Sequence, residues 1–185
     1  MYPRLPAIFH SKTPAKLLIT FFTAIFLMLE SPTLEAGGWG KTGDVFEYES
    51  TTWNGVYFDM NGLSFLASIP NYSGASLQNG LASLTGSINQ DIGYIIEASF
   101  IQTFTPPKTL QGFVKMVQDA NPAYIINIVD ASPIGAKYAV DLIPIDQNAI
   151  AFWRFISTDR RLIKMGTDDT DINRRLYFFE SLYIQ

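Results

Sequence analysis

The residues able to do chemistry are few and fall into four groups. Asp168, Asp169 and Asp171 crowd together near the C-terminus, a density of hard oxygen ligands that could hold calcium. The cluster lacks the offsets and glycine of an EF-hand loop, and the same acids suit the positive end of a following helix. Capping is therefore the expectation there. Asp59, Glu97, Asp130 and Asp141 lie in or beside strand-like runs. Two of them meeting on one face, about 5–10 Å apart, would suffice for glycoside hydrolysis. On a half-buried sheet, alternation of side chains sends such residues to solvent instead. Arg154 is embedded in Ala151-Phe152-Trp153-Arg154-Phe155-Ile156, where a guanidinium must reach water, a ligand or a carboxylate. An ion pair with Asp141 on a neighbouring strand is expected. Aromatic residues make up 14% of the chain, enough for a core and a surface group as well. Trp53, Tyr57 and Tyr72, together with Arg154, are the candidate partner surface.

What is missing excludes more chemistry than these groups suggest. The chain has no cysteine, hence no disulfide, thiol nucleophile or thiolate metal site. Its single histidine is His10, which sits in a segment built like an export signal. Arg4, Lys12 and Lys16 precede the uncharged run Leu17–Leu29, and a short polar stretch follows, ending at Ala36 before Gly37-Gly38. The run is shorter than the about 20 residues of a bilayer span. It also lacks the polar face of a core helix. A cleaved signal over residues 1–36 is the expectation, with an uncleaved anchor as the alternative.

Loss of that segment takes the only imidazole with it. Serine–histidine and cysteine–histidine catalysis are then excluded, as are histidine-ligated metals. No cofactor and no enzymatic activity are expected. Removing Arg4, Lys12, Lys16, Glu30 and Glu35 from 13 basic and 17 acidic residues leaves an excess of acid. Nucleic acid is therefore an unsuitable partner, since that affinity rests on cationic contacts to phosphate. Arg160-Arg161 and Arg174-Arg175 are basic pairs expected on solvated faces.

The elements that must position these groups can be read in outline. Residues 37–53 begin with GGWGKTG and read as a glycine-rich lead; 54–185 read as one domain. Asn61-Gly62 between Val56–Met60 and Leu63–Ile69 marks a tight hairpin, because both turn positions need positive φ. Residues 71–90 stay open, with leucines at helical spacing but Gly80 and Gly86 against a helix. Ile92–Phe104 reads as a strand. Leu110, Phe113, Val114 and Val117 then define a helix capped by Thr109 and closed by Asn121-Pro122. Strand-like runs from Tyr124, Lys137, Ala149 and Arg161 form a four-stranded meander, with Asp146-Gln147-Asn148 as one of its turns. A last helix follows, with Ile172, Leu176, Phe179 and Tyr183 as its expected buried stripe. The fold class expected is α+β: a hairpin and a meander forming an antiparallel sheet, with helices packed on it.

The pieces NGLSFLASIP, TLQGFVKMVQDA, RLIKMGTDD and FFESLYI, in that order, resemble the PsbP-like superfamily. That group includes the extrinsic photosystem protein PsbP and the Ran-binding Mog import factors. The likeness runs over residues 54–185 in element order. It implies an antiparallel sheet sandwiched by helices and a fold used mostly for binding or assembly. It carries over no site, because the metal-ligating histidines attributed to PsbP have no counterpart here and Ran binding does not suit an exported chain. The expected function is an exported, non-catalytic binding or assembly domain of the cell envelope, periplasmic or secreted, whose partner is a protein or envelope component. A carboxylate-dependent hydrolase and a signal-anchored protein are the alternatives.

Overall fold

Short apolar runs broken by Asn-Gly pairs close their hydrogen bonds by folding back on themselves. In the computed structural model, which describes residues 38–99, 104–145 and 151–185, they do so repeatedly. Strands β1 (Gly38–Tyr48), β2 (Thr51–Met60) and β3 (Leu63–Pro70) are followed by β4 (Tyr72–Gln78), β5 (Leu81–Ile88) and β6 (Ile92–Ser99). Helix α1 (Leu110–Ala120) leads to β7 (Tyr124–Val129), β8 (Tyr138–Pro144), β9 (Phe152–Ser157) and β10 (Leu162–Thr167). Helix α2 (Ile172–Glu180) and the short β11 (Tyr183–Ile184) end the chain.

Two-residue turns drive this. Asn61-Gly62 and Asn79-Gly80 both hold positive φ at each position, as a tight antiparallel turn requires. Glu49-Ser50 adopts the same conformation (φ 48° and 55°) without the residues that favour it, a cost of about 1–2 kcal/mol per residue.

The strands form two antiparallel sheets, a small one in the order β1-β2-β3-β11 and a large one in the order β4-β5-β6-β10-β9-β8-β7. Between β3 and β4 the chain passes from one sheet to the other at Pro70-Asn71. Gly86 permits that crossing, since a Cβ there would lie 2.2 Å from the Pro70 carbonyl oxygen. The main core fills the space between the sheets. Trp53, Phe58, Phe65 and Ile69 of the small sheet pack with Leu84, Ile96, Ile156 and Ile163 of the large one. A second cluster lies on the outer face, where Phe113 and Val117 of α1 cover Val140, Leu142 and Phe155.

The architecture corrects the α+β expectation: this is a β-sandwich. One face of the large sheet is covered chiefly by another sheet, where the helical sandwich implied by the resemblance would put helices. The reason lies partly in residues 38–53. The segment read as a glycine-rich lead is β1 and the start of β2, in register from Gly38↔Asp59 to Tyr48↔Thr51. Residues 71–90, left open above, are the β4–β5 hairpin, with Gln78 paired to Leu81 around Asn79-Gly80.

The meander β7–β8–β9–β10 is present, and Thr109 caps α1 by accepting from the Gly112 N–H at 3.1 Å. The stripe of α2 is corrected. Phe178 and Phe179 are its buried residues, while Ile172, Leu176 and Tyr183 are exposed. An electrostatic anchor at its first turn, described below, turns the helix so that the two adjacent phenylalanines face the core. Residues 1–37, 100–103 and 146–150, which include the segment read as an export signal, the end of the Ile92–Phe104 run and the expected Asp146-Gln147-Asn148 turn, lie outside the described residues.

Candidate functional site

The four residues read as a partner surface do not lie together. Trp53 is fully buried; its indole N–H donates to the Tyr48 carbonyl at 3.2 Å and its ring meets Tyr94 and Tyr177 edge-on. Arg154 is 3% exposed and points inward from β9. Its Nε and Nη2 donate to Asp141 Oδ1 and Oδ2 at 2.6 and 2.9 Å, the ion pair expected from the sequence. The Phe179 ring lies 5.1 Å from its guanidinium carbon. Only Tyr57 and Tyr72 remain near the surface. Burial raises the Tyr72 phenol, helped by the neighbouring Tyr57. The patch is therefore corrected: β2 and β9 turn Trp53 and Arg154 to the inside, where neither can face a partner.

The four scattered acids fare no better as a pair. Asp141 faces the inner side of the large sheet and Glu97 its outer side, next to Lys164 on β10. Asp59 is exposed on the small sheet, and Asp130 lies in the loop after β7, accepting from the Ser132 N–H at 3.0 Å. No two of these share a cleft. Glu97 does line a shallow hollow with Trp153, Tyr124, Asn121, Phe155 and Lys164. Gly166 gives the Trp153 ring its place, since a Cβ there would lie 2.5 Å from it. Burial pushes the Glu97 carboxyl up and Lys164 pulls it partly back.

The acidic cluster is a structural anchor. Asp171 caps α2 by accepting from the Asn173 and Arg174 N–H groups at 2.9 and 3.1 Å. Asp169 is fully buried, and its carboxylate is saturated. Arg174 Nε and Nη2 donate to it at 2.7 and 3.0 Å, the Asp171 N–H at 2.8 Å, and the Tyr94 hydroxyl donates as well. Of the two basic pairs, Arg174-Arg175 is thus not a solvated face: Arg174 holds Asp169, and Arg175 stacks on Phe152 at 3.7 Å. Among the described residues no group of three or more His, Asp or Glu side chains is placed to hold a metal ion.

What the sequence reading missed is an edge. Among the described residues, strand β7, Tyr-Ile-Ile-Asn-Ile-Val, ends the large sheet and pairs only with β8. Protein edges are normally blunted by charge, proline or a bulge, and β7 has none of these. Ile125 and Ile128 are 55% and 58% exposed, with Ile143 and Ile145 of the β8 end exposed beside Ile125. The opposite edge, β4, is polar and carries a register break between Tyr72 and Gly74.

The direction of the main-chain groups on β7 follows from one bond. The Ile145 N–H donates to the Ala123 carbonyl at 3.0 Å, so Ala123 faces β8, and by alternation Ile125, Asn127 and Val129 do too. Tyr124, Ile126 and Ile128 point the other way. Tyr124 is already satisfied, its N–H by the Asn121 carbonyl and its carbonyl by Gln118 Nε2. The N–H and C=O of Ile126 and Ile128 face the open edge.

The geometry defines a two-sheet antiparallel β-sandwich in which, among the described residues, the β7 edge of the large sheet carries no further strand. No family model matches the chain, and neither a curated protein nor a solved structure matches it.

Proposed function

We propose that this chain is a non-catalytic binding or assembly domain that works outside the cytoplasm and engages its partner by strand addition at β7. The observation that carries the reading is the six-residue uncharged edge with isoleucines exposed on both faces. An extended partner segment would gain main-chain hydrogen bonds there and rest alternate side chains against those isoleucines. The separation of Asp59, Glu97, Asp130 and Asp141 favours binding over hydrolysis, which needs two acids in one cleft. Export rests on the uncharged run Leu17–Leu29 behind a basic start. No helix among the described residues is long and apolar enough to cross a membrane.

The test is site-specific photocrosslinking in the producing cell, with a photoreactive residue replacing the exposed Ile125. A discrete adduct is expected in the envelope or external fraction, and it should disappear in the Ile128→Pro background. Proline at 128 removes an N–H that β8 does not use, which an edge strand tolerates, yet it blocks addition of a further strand. An adduct that survives Ile128→Pro, or none at all, contradicts the proposal.

A further inference from the structure

Resting on that reading, we infer that the segment added to β7 is the β7 of a second copy, paired antiparallel about a two-fold axis through Asn127. Three physical requirements select this arrangement. A continuous sheet demands that inner-facing residues pair with inner-facing ones, which removes every register that is out of phase by one. Ile125, Asn127 and Val129 face inward, beside Ile143, Asp141 and Ala139; Ile126 and Ile128 face outward.

The main chain then chooses among the remaining registers. Among the described residues, the β7 main-chain groups left over within the strand are the N–H and C=O of Ile126 and Ile128. Centring the two-fold on Asn127 sets Ile126 opposite the partner copy's Ile128 and Ile128 opposite its Ile126. Each such pair exchanges two hydrogen bonds, so all four free groups of each copy are used. Shifting the centre to Ile126 requires Tyr124, whose N–H and carbonyl already have Asn121 and Gln118 as partners.

The side chains make the same choice. With Asn127 at the centre, Ile126 meets Ile128 on the outer face and Ile125 meets Val129 on the inner face. Asn127 meets its own copy, and two amides can hydrogen-bond each other. Centring on Ile126 would set Ile125 against Asn127. Apolar cross-strand pairs stabilise a sheet, and β-branched residues fit them well. A single strand of six residues is about 20 Å long and makes a small interface. Association is therefore weak and concentration-dependent.

The absence of cysteine from the chain makes the register directly testable. Asn127 is exposed, and in this pairing its Cα lies about 4.5 Å from its copy, within the range a disulfide spans. Full-length purified Asn127→Cys, oxidised with diamide, is expected to give a disulfide-linked dimer at least tenfold faster than Ile125→Cys, whose copies lie offset on the same face. Adding Ile128→Pro should remove that advantage. Sedimentation of the unmodified protein should show dimer growing with concentration, and Ile128→Pro should stay monomeric.

Equal crosslinking of the two cysteine variants overturns the register. A wild-type protein that stays monomeric up to about millimolar concentration overturns self-association. If self-association fails while the Ile125 adduct still depends on Ile128, strand addition by another protein stands and only the identity of the partner falls. If both fail, the edge reading falls as well.

Discussion

Asp169→Ala lowers the stability of this domain by about 3–5 kcal/mol, the usual cost of removing one member of a buried ion pair. The expected readout is a melting temperature about 10 °C lower. The size follows from what is stranded. Asp169 is fully buried and serves at once Arg174, the Tyr94 hydroxyl and the Asp171 N–H. Its loss takes the acceptor from the Tyr94 hydroxyl and the Asp171 N–H, leaves Arg174 the Asp171 carboxylate at 3.4 Å, and releases α2 from β6 and β10. Phe178 and Phe179, placed in the core by that anchor, lose their fixed positions.

The same network sets the pH dependence. Burial alone would raise the Asp169 carboxyl, but hydrogen bonds from Arg174, Tyr94 and Asp171 outweigh it and hold the group below its ordinary value. A depressed carboxyl contributes stability that is present above its unfolded pKa, near 4, and is lost as the pH falls through the folded value. Tyr94 moves the other way. Burial, and then the bond to Asp169, raise its phenol, so its contribution is present below about pH 10 and is lost at higher pH. Unfolding followed from pH 2 to 11 should show both limbs, and Asp169→Ala should flatten them. Unchanged limbs in that variant contradict the account.

Asp141→Ala costs a similar about 3–5 kcal/mol, and the asymmetry with Arg154→Ala is the sharper prediction. The Arg154 side chain is 4% exposed and that of Asp141 18%. Removing the acid strands a guanidinium with almost no access to water, whereas removing the arginine leaves a carboxylate that water can reach. Asp141→Ala should therefore be the more damaging of the two. Replacing both, as Asp141→Leu with Arg154→Met, should bring stability back close to the parent, since apolar side chains of similar volume suit that inner face. A denaturant-unfolding double-mutant cycle measures all three. A double variant as unstable as Asp141→Ala alone would show that the pair holds up more than itself.

The pattern of residues revealed the local pieces better than their partners. Asn61-Gly62 announced a hairpin, and the spacing of Leu110, Phe113, Val114 and Val117 announced α1, because each signal is complete within one short segment. Asn79-Gly80 carried the same turn signal. Leu77, Leu81, Leu84 and Ile88 happened to fall at helical intervals and obscured it, although Leu77 and Leu84 belong to opposite strands of a hairpin. Residues 38–48 were illegible for a different reason: pairing with β2, and the packing of Phe46 and Tyr48 on Tyr177, give so glycine-rich a run an ordered conformation.

The site followed the same division. Arg154 with Asp141 was foreseeable, because a charge amid apolar neighbours must find its opposite on an adjacent strand. Asp169 was read only as part of a cap, since its partner Tyr94 lies 75 residues away. Trp53 and Tyr57 sit on one strand, but two fully covered faces near its start defeated the simple alternation. The open edge could not be read at all from Tyr-Ile-Ile-Asn-Ile-Val. A strand's rank in its sheet depends on every other strand.

Amide hydrogen exchange at Ile126 and Ile128, followed by NMR across a range of protein concentration, bears most directly on the role given to β7. In dilute protein these two amides should exchange rapidly while Ile125, Asn127 and Val129 stay protected by β8. With rising concentration they should become protected together. Protection of Ile126 and Ile128 already present in the dilute monomer would mean that the edge is closed, and the binding role assigned to it would be wrong.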